Sequence, residues 1–222
     1  MRKGIVVLAT VGLVGSFLAG CAGEAEQAAP TGEPTSTYTA TATAPVQTET
    51  AAQPGEVPAS AAVEDSYFDD AVFIGDSVSL KLKNYVIEKR QTTADFLGKA
   101  QFLVSGSLGS ANALWEISNE SVHPAYNGEK MKVEDSVAKS GAQKVYIMLG
   151  LNDVALYGVQ GSVDNLQTLI TKIKAKSPDA SILIQSATPI TKAGEKTKLT
   201  NATLVEYNKK LVELCKSKGY YY

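Results

Sequence analysis

Three short clusters of small and polar residues hold the chemistry open to this chain: Gly75-Asp76-Ser77, Ser105-Gly106, and Gly150-Leu151-Asn152-Asp153. Each follows an apolar run, namely Ala71–Ile74, Gln101–Val104 and Lys144–Leu149. A serine hydroxyl becomes a nucleophile when a neighbouring base takes its proton. Backbone N–H groups and an asparagine amide are the donors that steady negative charge developing on a carbonyl oxygen. Each cluster also has an ordinary explanation, since Asp and Ser cap helices while Gly and Asn turn the chain. Taken singly, each is better explained as structure; the three together, at the ends of successive apolar runs, ask for more.

Other chemistries lack their residues. The single histidine, His123, and the two cysteines, Cys21 and Cys215, cannot build a structural zinc site, and no His-Glu-x-x-His occurs. No metal is therefore expected. Neither Gly-x-Gly-x-x-Gly nor a Walker-type Gly-Lys-Ser/Thr appears, so no nucleotide cofactor is expected, and there is no Gly-x-Ser-x-Gly elbow. The formal net charge is −2, unevenly spread. Residues 66–222 hold 19 basic and 16 acidic side chains, too weak and dispersed a surplus for a nucleic-acid footprint.

The elements that must position the clusters are legible from periodicity. Strands are expected at Ala71–Ile74, Gln101–Val104, Lys144–Leu149 and Ser181–Gln185. Helices are expected over Val78–Arg90, Ser110–Ile117, Val133–Ser140, Val163–Lys176 and Leu199–Lys218. The third strand is the clearest. In the last helix Leu204, Val205, Leu211, Val212 and Leu214 are expected to face inward, with Cys215 a small apolar neighbour. Strand and helix alternating in this way imply an α/β fold, a central parallel sheet with helices on both faces. Ligands of such sheets bind at the carboxyl ends of the strands, where the three clusters fall.

In this setting the chain resembles the SGNH (GDSL-type) hydrolases. Gly75-Asp76-Ser77 matches the first family block, Gly106 the second and Gly150-x-Asn152-Asp153 the third, in the family's order from Ala71 onward. Gly109 is a rival for the second block. The resemblance implies a flavodoxin-like three-layer α/β/α sandwich and serine acyl transfer. Ser77 is then the nucleophile, and the oxyanion hole is formed by the Ser77 and Gly106 N–H groups with the Asn152 amide. Gly150 shapes the third turn. Asp76 and Asp153 either orient these turns or simply cap helices. The family's Asp-x-x-His block is absent. Without it Ser77 has no base. His123 lies between the second and third blocks, out of the family's order, and is expected to be an exposed loop residue. Gly219-Tyr220-Tyr221-Tyr222 reads as the start of a fifth strand, which makes the chain a fragment expected to be inactive by itself. Tyr126, Tyr146 and Tyr157, in or near the upper loops, are read as packing residues before sugar-stacking ones.

The N-terminus reads separately. Met1-Arg2-Lys3 and the apolar run Gly4–Ala19 form a secretory signal, closing in Leu18-Ala19-Gly20-Cys21, which resembles a bacterial lipobox. That implies cleavage before Cys21 and lipidation of its sulfur. Residues 22–65 hold five of the eight prolines and a Thr/Ala-rich tract, with little apolar surface to offset the entropy of ordering.

The resulting organisation is a lipoprotein signal peptide (1–20), a disordered linker (21–65) and an SGNH hydrolase-like domain (66–222). The expected activity is ester hydrolysis outside the cytoplasmic membrane, on a protein anchored to that membrane through Cys21. Its substrate would be an acylated carbohydrate or another small ester. The alternatives are a lysophospholipase or short-chain acylesterase, an acyltransferase, or a non-catalytic ligand-binding lipoprotein.

Overall fold

The computed structural model describes residues 55–222. The expected signal peptide, Cys21 and the expected linker as far as residue 54 lie outside the described residues. Among the described residues no helix is long and apolar enough to cross a membrane.

In chain order the elements are β1 (Ala71–Gly75), α1 (Ser77–Lys89), β2 (Gln101–Val104), β3 (Ala125–Tyr126), β4 (Glu129–Lys130), α2 (Val133–Ser140), β5 (Lys144–Met148), α3 (Val154–Lys176), β6 (Ser181–Ile184) and α4 (Asn201–Lys218). Strands β1, β2, β5 and β6 form one parallel sheet in the order β2-β1-β5-β6, with Gly75 level with Val104 on one side and Met148 on the other. Every residue of β1 is buried, as a central strand covered on both faces requires. One sheet face carries Val72, Ile74, Leu103, Val145, Ile147, Ile182 and Ile184 into the main core, shared with α2, α3 and α4. The opposite face carries Ala71, Phe73, Phe102 and Tyr146. Helix α1, the crossover between β1 and β2, covers that face, because a parallel connection is right-handed and the strand order reverses after β2. The expected α/β sandwich is the fold observed.

Several boundaries differ from expectation. Ser110–Ile117 is not a helix; only Asn112–Leu114 forms a single 3₁₀ turn. The Ser110 and Ala111 N–H groups donate instead to a distant carboxylate, and the Asn112 side chain folds back on its own loop. Helix α3 starts at Val154 rather than Val163. Gly158 (φ 68°) kinks it after one turn and breaks the apolar period there. In α4, Leu204, Leu211 and Leu214 are buried as expected, but Val205 is exposed, and Tyr207 and Cys215 complete the inward face. The hairpin β3–β4 was overlooked despite its Asn127-Gly128 turn, whose two residues both have positive φ.

At the far edge Tyr221 makes a parallel bridge with Leu183 of β6, so a fifth strand position is begun as the sequence suggested. On its outer side Tyr222 donates to the Gly55 carbonyl and accepts from the Val57 N–H. Backbone pairing to the sheet therefore reaches back to Gly55.

Candidate active site

The reversal of strand order falls between β1 and β5, and a crevice at the carboxyl ends of two such strands is where α/β sheets hold ligands. Ser77 follows β1 there, and Asn152 follows β5. The β2 loop carrying Gly106 flanks β1 from the other side, continuing its pairing through Ser105 N–H to the Gly75 carbonyl at 3.2 Å.

Ser77 is the first residue of α1 and is exposed. The preceding Asp76 is the helix cap, its carboxylate accepting from Val78 N–H at 2.8 Å. With that donor satisfied, the Ser77 N–H and hydroxyl are left without a partner among the described residues. A helix N-terminus with a free N–H favours negative charge in front of it. Asp76 is itself almost wholly buried. Burial raises its pKa above the usual carboxylate range; the Val78 hydrogen bond opposes the shift and the nearby Asp153 carboxylate adds to it.

The loop after β2 separates its two glycines by role. Gly106 is exposed, with open space about it, and its N–H has no partner among the described residues. Gly109 is buried, and its N–H donates to Asn112 Oδ1 at 2.8 Å. A Cβ at Gly109 would stand 2.8 and 2.9 Å from the two Asp153 oxygens, which is why the position is glycine. Between the two rivals, only Gly106 has a donor free for a ligand.

The third cluster ties the loops together. Asp153, 1% exposed, accepts from Ser110 N–H (2.9 Å) and Ala111 N–H (3.0 Å), and its side chain does not cap α3. Its carboxylate thus joins the third turn to the second loop. Asn152 Nδ2 donates to the Leu108 carbonyl at 2.9 Å. That uses one of the two N–H bonds of the amide and fixes its plane, leaving the other for a ligand. Gly150 (φ 137°) has no room for a side chain because the Tyr207 ring lies against it, and Tyr207 donates to the Leu149 carbonyl at 3.1 Å.

The remaining candidates lie elsewhere. His123 is not an exposed loop residue. It is 4% exposed, its Nε2 stands 3.1 Å from the Ala113 carbonyl, and its Nδ1 is buried without a partner among the described residues. Its imidazole is held by the loop after β2 and makes no bond to Ser77. Tyr146 is not in an upper loop either. It lies within β5, stacked on Phe73 with centroids 4.6 Å apart, and burial pushes its phenol up to about 12. Tyr126 is half-buried in β3 and packs on the main core, whereas Tyr157 is exposed on the first turn of α3. Cys215 is a buried free thiol, pushed by burial up to about 11. Asn112, which sequence reasoning missed, braces the second loop.

Comparison with family models finds no match, and no curated protein matches the chain. Among solved structures, one from Streptococcus pneumonia described as a "putative platelet activating factor" is similar at 18% identity and a TM-score of 0.42. The similarity covers 68% of this chain and 65% of that one, so the chain spans less than two thirds of that structure's length.

Proposed function

We propose that the domain is a serine ester hydrolase of the SGNH type, acting outside the cytoplasmic membrane on an acyl group of a carbohydrate or other small ester. The observation that supports this most is the convergence at one switch point of an exposed serine and three unspent donors: Ser77 N–H, Gly106 N–H and one Asn152 amide N–H. In the reaction Ser77 Oγ attacks the ester carbonyl carbon, and its proton passes to a base. The carbonyl oxygen takes the negative charge and is held by those donors. Collapse expels the alcohol and leaves an acyl group on Ser77, which water then removes. The lipobox ending in Cys21 supports a membrane-anchored, extracytoplasmic setting, and such a setting favours wall or environmental polysaccharide esters. Lysophospholipids and acyl transfer are the alternatives; acetate release against fatty-acid release separates the two substrate classes.

No side chain among the described residues hydrogen-bonds to the Ser77 hydroxyl, and the family's Asp-x-x-His block does not occur in these 222 residues. The same observation favours one rival, an SGNH-like module that binds a ligand without turning it over. An external base distinguishes the two. With imidazole added, the chain is expected to hydrolyse p-nitrophenyl acetate above the rate of its Ser77→Ala variant, which retains only the solution reaction. Asn152→Ala is expected to lose about 10²–10³ of the Ser77-dependent rate. Equal rates for the parent and Ser77→Ala chains would overturn the hydrolase reading in favour of the binding module.

A further inference from the structure

We propose that Asn112 is a positioning residue for the oxyanion donors, bracing the second loop so that Gly106 N–H and the Asn152 amide face the same point; this rests on the serine-hydrolase reading above. The Asn112 side chain uses both ends of its amide on one short stretch of backbone. Oδ1 accepts from Gly109 N–H at 2.8 Å, and Nδ2 donates to the Ser107 carbonyl at 2.9 Å. Those bonds close a ring around Leu108, and the Leu108 carbonyl is the group that accepts from Asn152 Nδ2. Asn112 is therefore linked to the Asn152 amide through the Leu108–Gly109 peptide, and to Gly106 through the adjoining Ser107.

The other end of the same loop is already fixed. Ser110 and Ala111 N–H groups are held by the Asp153 carboxylate. Without Asn112 the Ser107 carbonyl and the Gly109 N–H lose their side-chain partner, while Leu108 between them stays tied through its N–H to the Ser105 carbonyl (3.1 Å) and through its carbonyl to Asn152. Gly106 is exposed, with open space where a Cβ would stand, and lies between Ser105, whose N–H bonds the Gly75 carbonyl, and Ser107, whose carbonyl accepts from Asn112. The amide serves as acceptor and donor at once through two separate atoms; a carboxylate keeps the Gly109 bond and loses the Ser107 one. Donors must be held within about 0.5 Å of their productive positions, themselves about 2.7–3.1 Å from the oxyanion, and a displacement near 1 Å can cost about a hundredfold.

The test is imidazole-supported hydrolysis of p-nitrophenyl acetate by parent, Asn112→Ala and Asn112→Asp chains, with the Ser77→Ala rate subtracted. Asn112→Ala is expected to lower kcat by about ten- to a hundredfold with KM within about twofold, and Asn112→Asp to fall between it and the parent. The Asn152 side-chain amide resonances are followed in parallel. They are expected to shift and to exchange faster in Asn112→Ala, which a merely structural residue would not cause while the melting temperature holds. An unchanged kcat, or a loss of kcat matched by a fall in stability with the Asn152 resonances unmoved, overturns the proposal. If the parent shows no Ser77-dependent turnover, the hydrolase reading fails, and the Asn152 resonances still decide whether Asn112 positions that amide.

Discussion

A carboxyl group sealed from water beside a second carboxylate titrates differently from a helix cap on the surface, and Asp76 is such a group. Burial raises its folded pKa, the Val78 N–H only partly offsetting that, with Asp153 adding repulsion. A raised folded value means the folded protein binds the proton more tightly than the unfolded chain. Stability is therefore gained as pH falls through the folded pKa and is lost as pH rises from the ordinary carboxylate range through it. Asp76→Asn keeps an oxygen for Val78 and removes the charge. Its melting temperature relative to the parent is expected to rise between pH 4 and pH 7, measured by thermal unfolding at each pH. A difference that is constant or falls over that range would contradict the assignment. The cap at Asp76 was legible because capping is local, one residue before a helix. The partners of Asp153 were not, because they are amides of another loop, and Asn112 was hidden inside what reads as a helical stretch.

At the scale of elements, the turn after β5 shows how a helix can determine the shape of a site loop. Tyr207 of α4 is fully buried, packs its ring against Gly150 and bonds the Leu149 carbonyl, so the Asn152 turn is pressed between sheet and helix. Gly150→Ala puts a methyl group into that ring at a φ that L-residues avoid, a cost of about 2–4 kcal/mol. Thermal unfolding should show a melting temperature lower by about 5–15 °C. A loss below about 1 kcal/mol would mean that the turn relaxes away from Tyr207 freely. The apolar runs of all four main strands were readable in the sequence, as was α2 to its ends, because burial on both faces leaves so little polar pattern to mislead. The start of α3 was not, since Gly158 interrupts the period. Tyr207 was missed because a tyrosine on an amphipathic helix does not announce a buried hydroxyl until its carbonyl partner is known.

For the whole molecule, the strand order β2-β1-β5-β6 brings residues 77, 106 and 152 to one edge although they are far apart in sequence. That convergence was foreseeable from the alternation of elements together with the family resemblance, and less so from either alone. The base was not legible at all: the only histidine is spent on the Ala113 carbonyl, which no periodicity could reveal. In the proposed reaction Ser77 is the nucleophile of an acyl-transfer site. The most direct test of that role is covalent. The chain is incubated with a fluorophosphonate and imidazole, so that Ser77 Oγ bonds to phosphorus, fluoride leaves and the proton passes to imidazole, and the adduct is mapped by mass spectrometry. A single adduct is expected, on Ser77, lost in Ser77→Ala and slowed in Asn152→Ala. Labelling spread over other hydroxyls, with Ser77 no faster than they are, would contradict it.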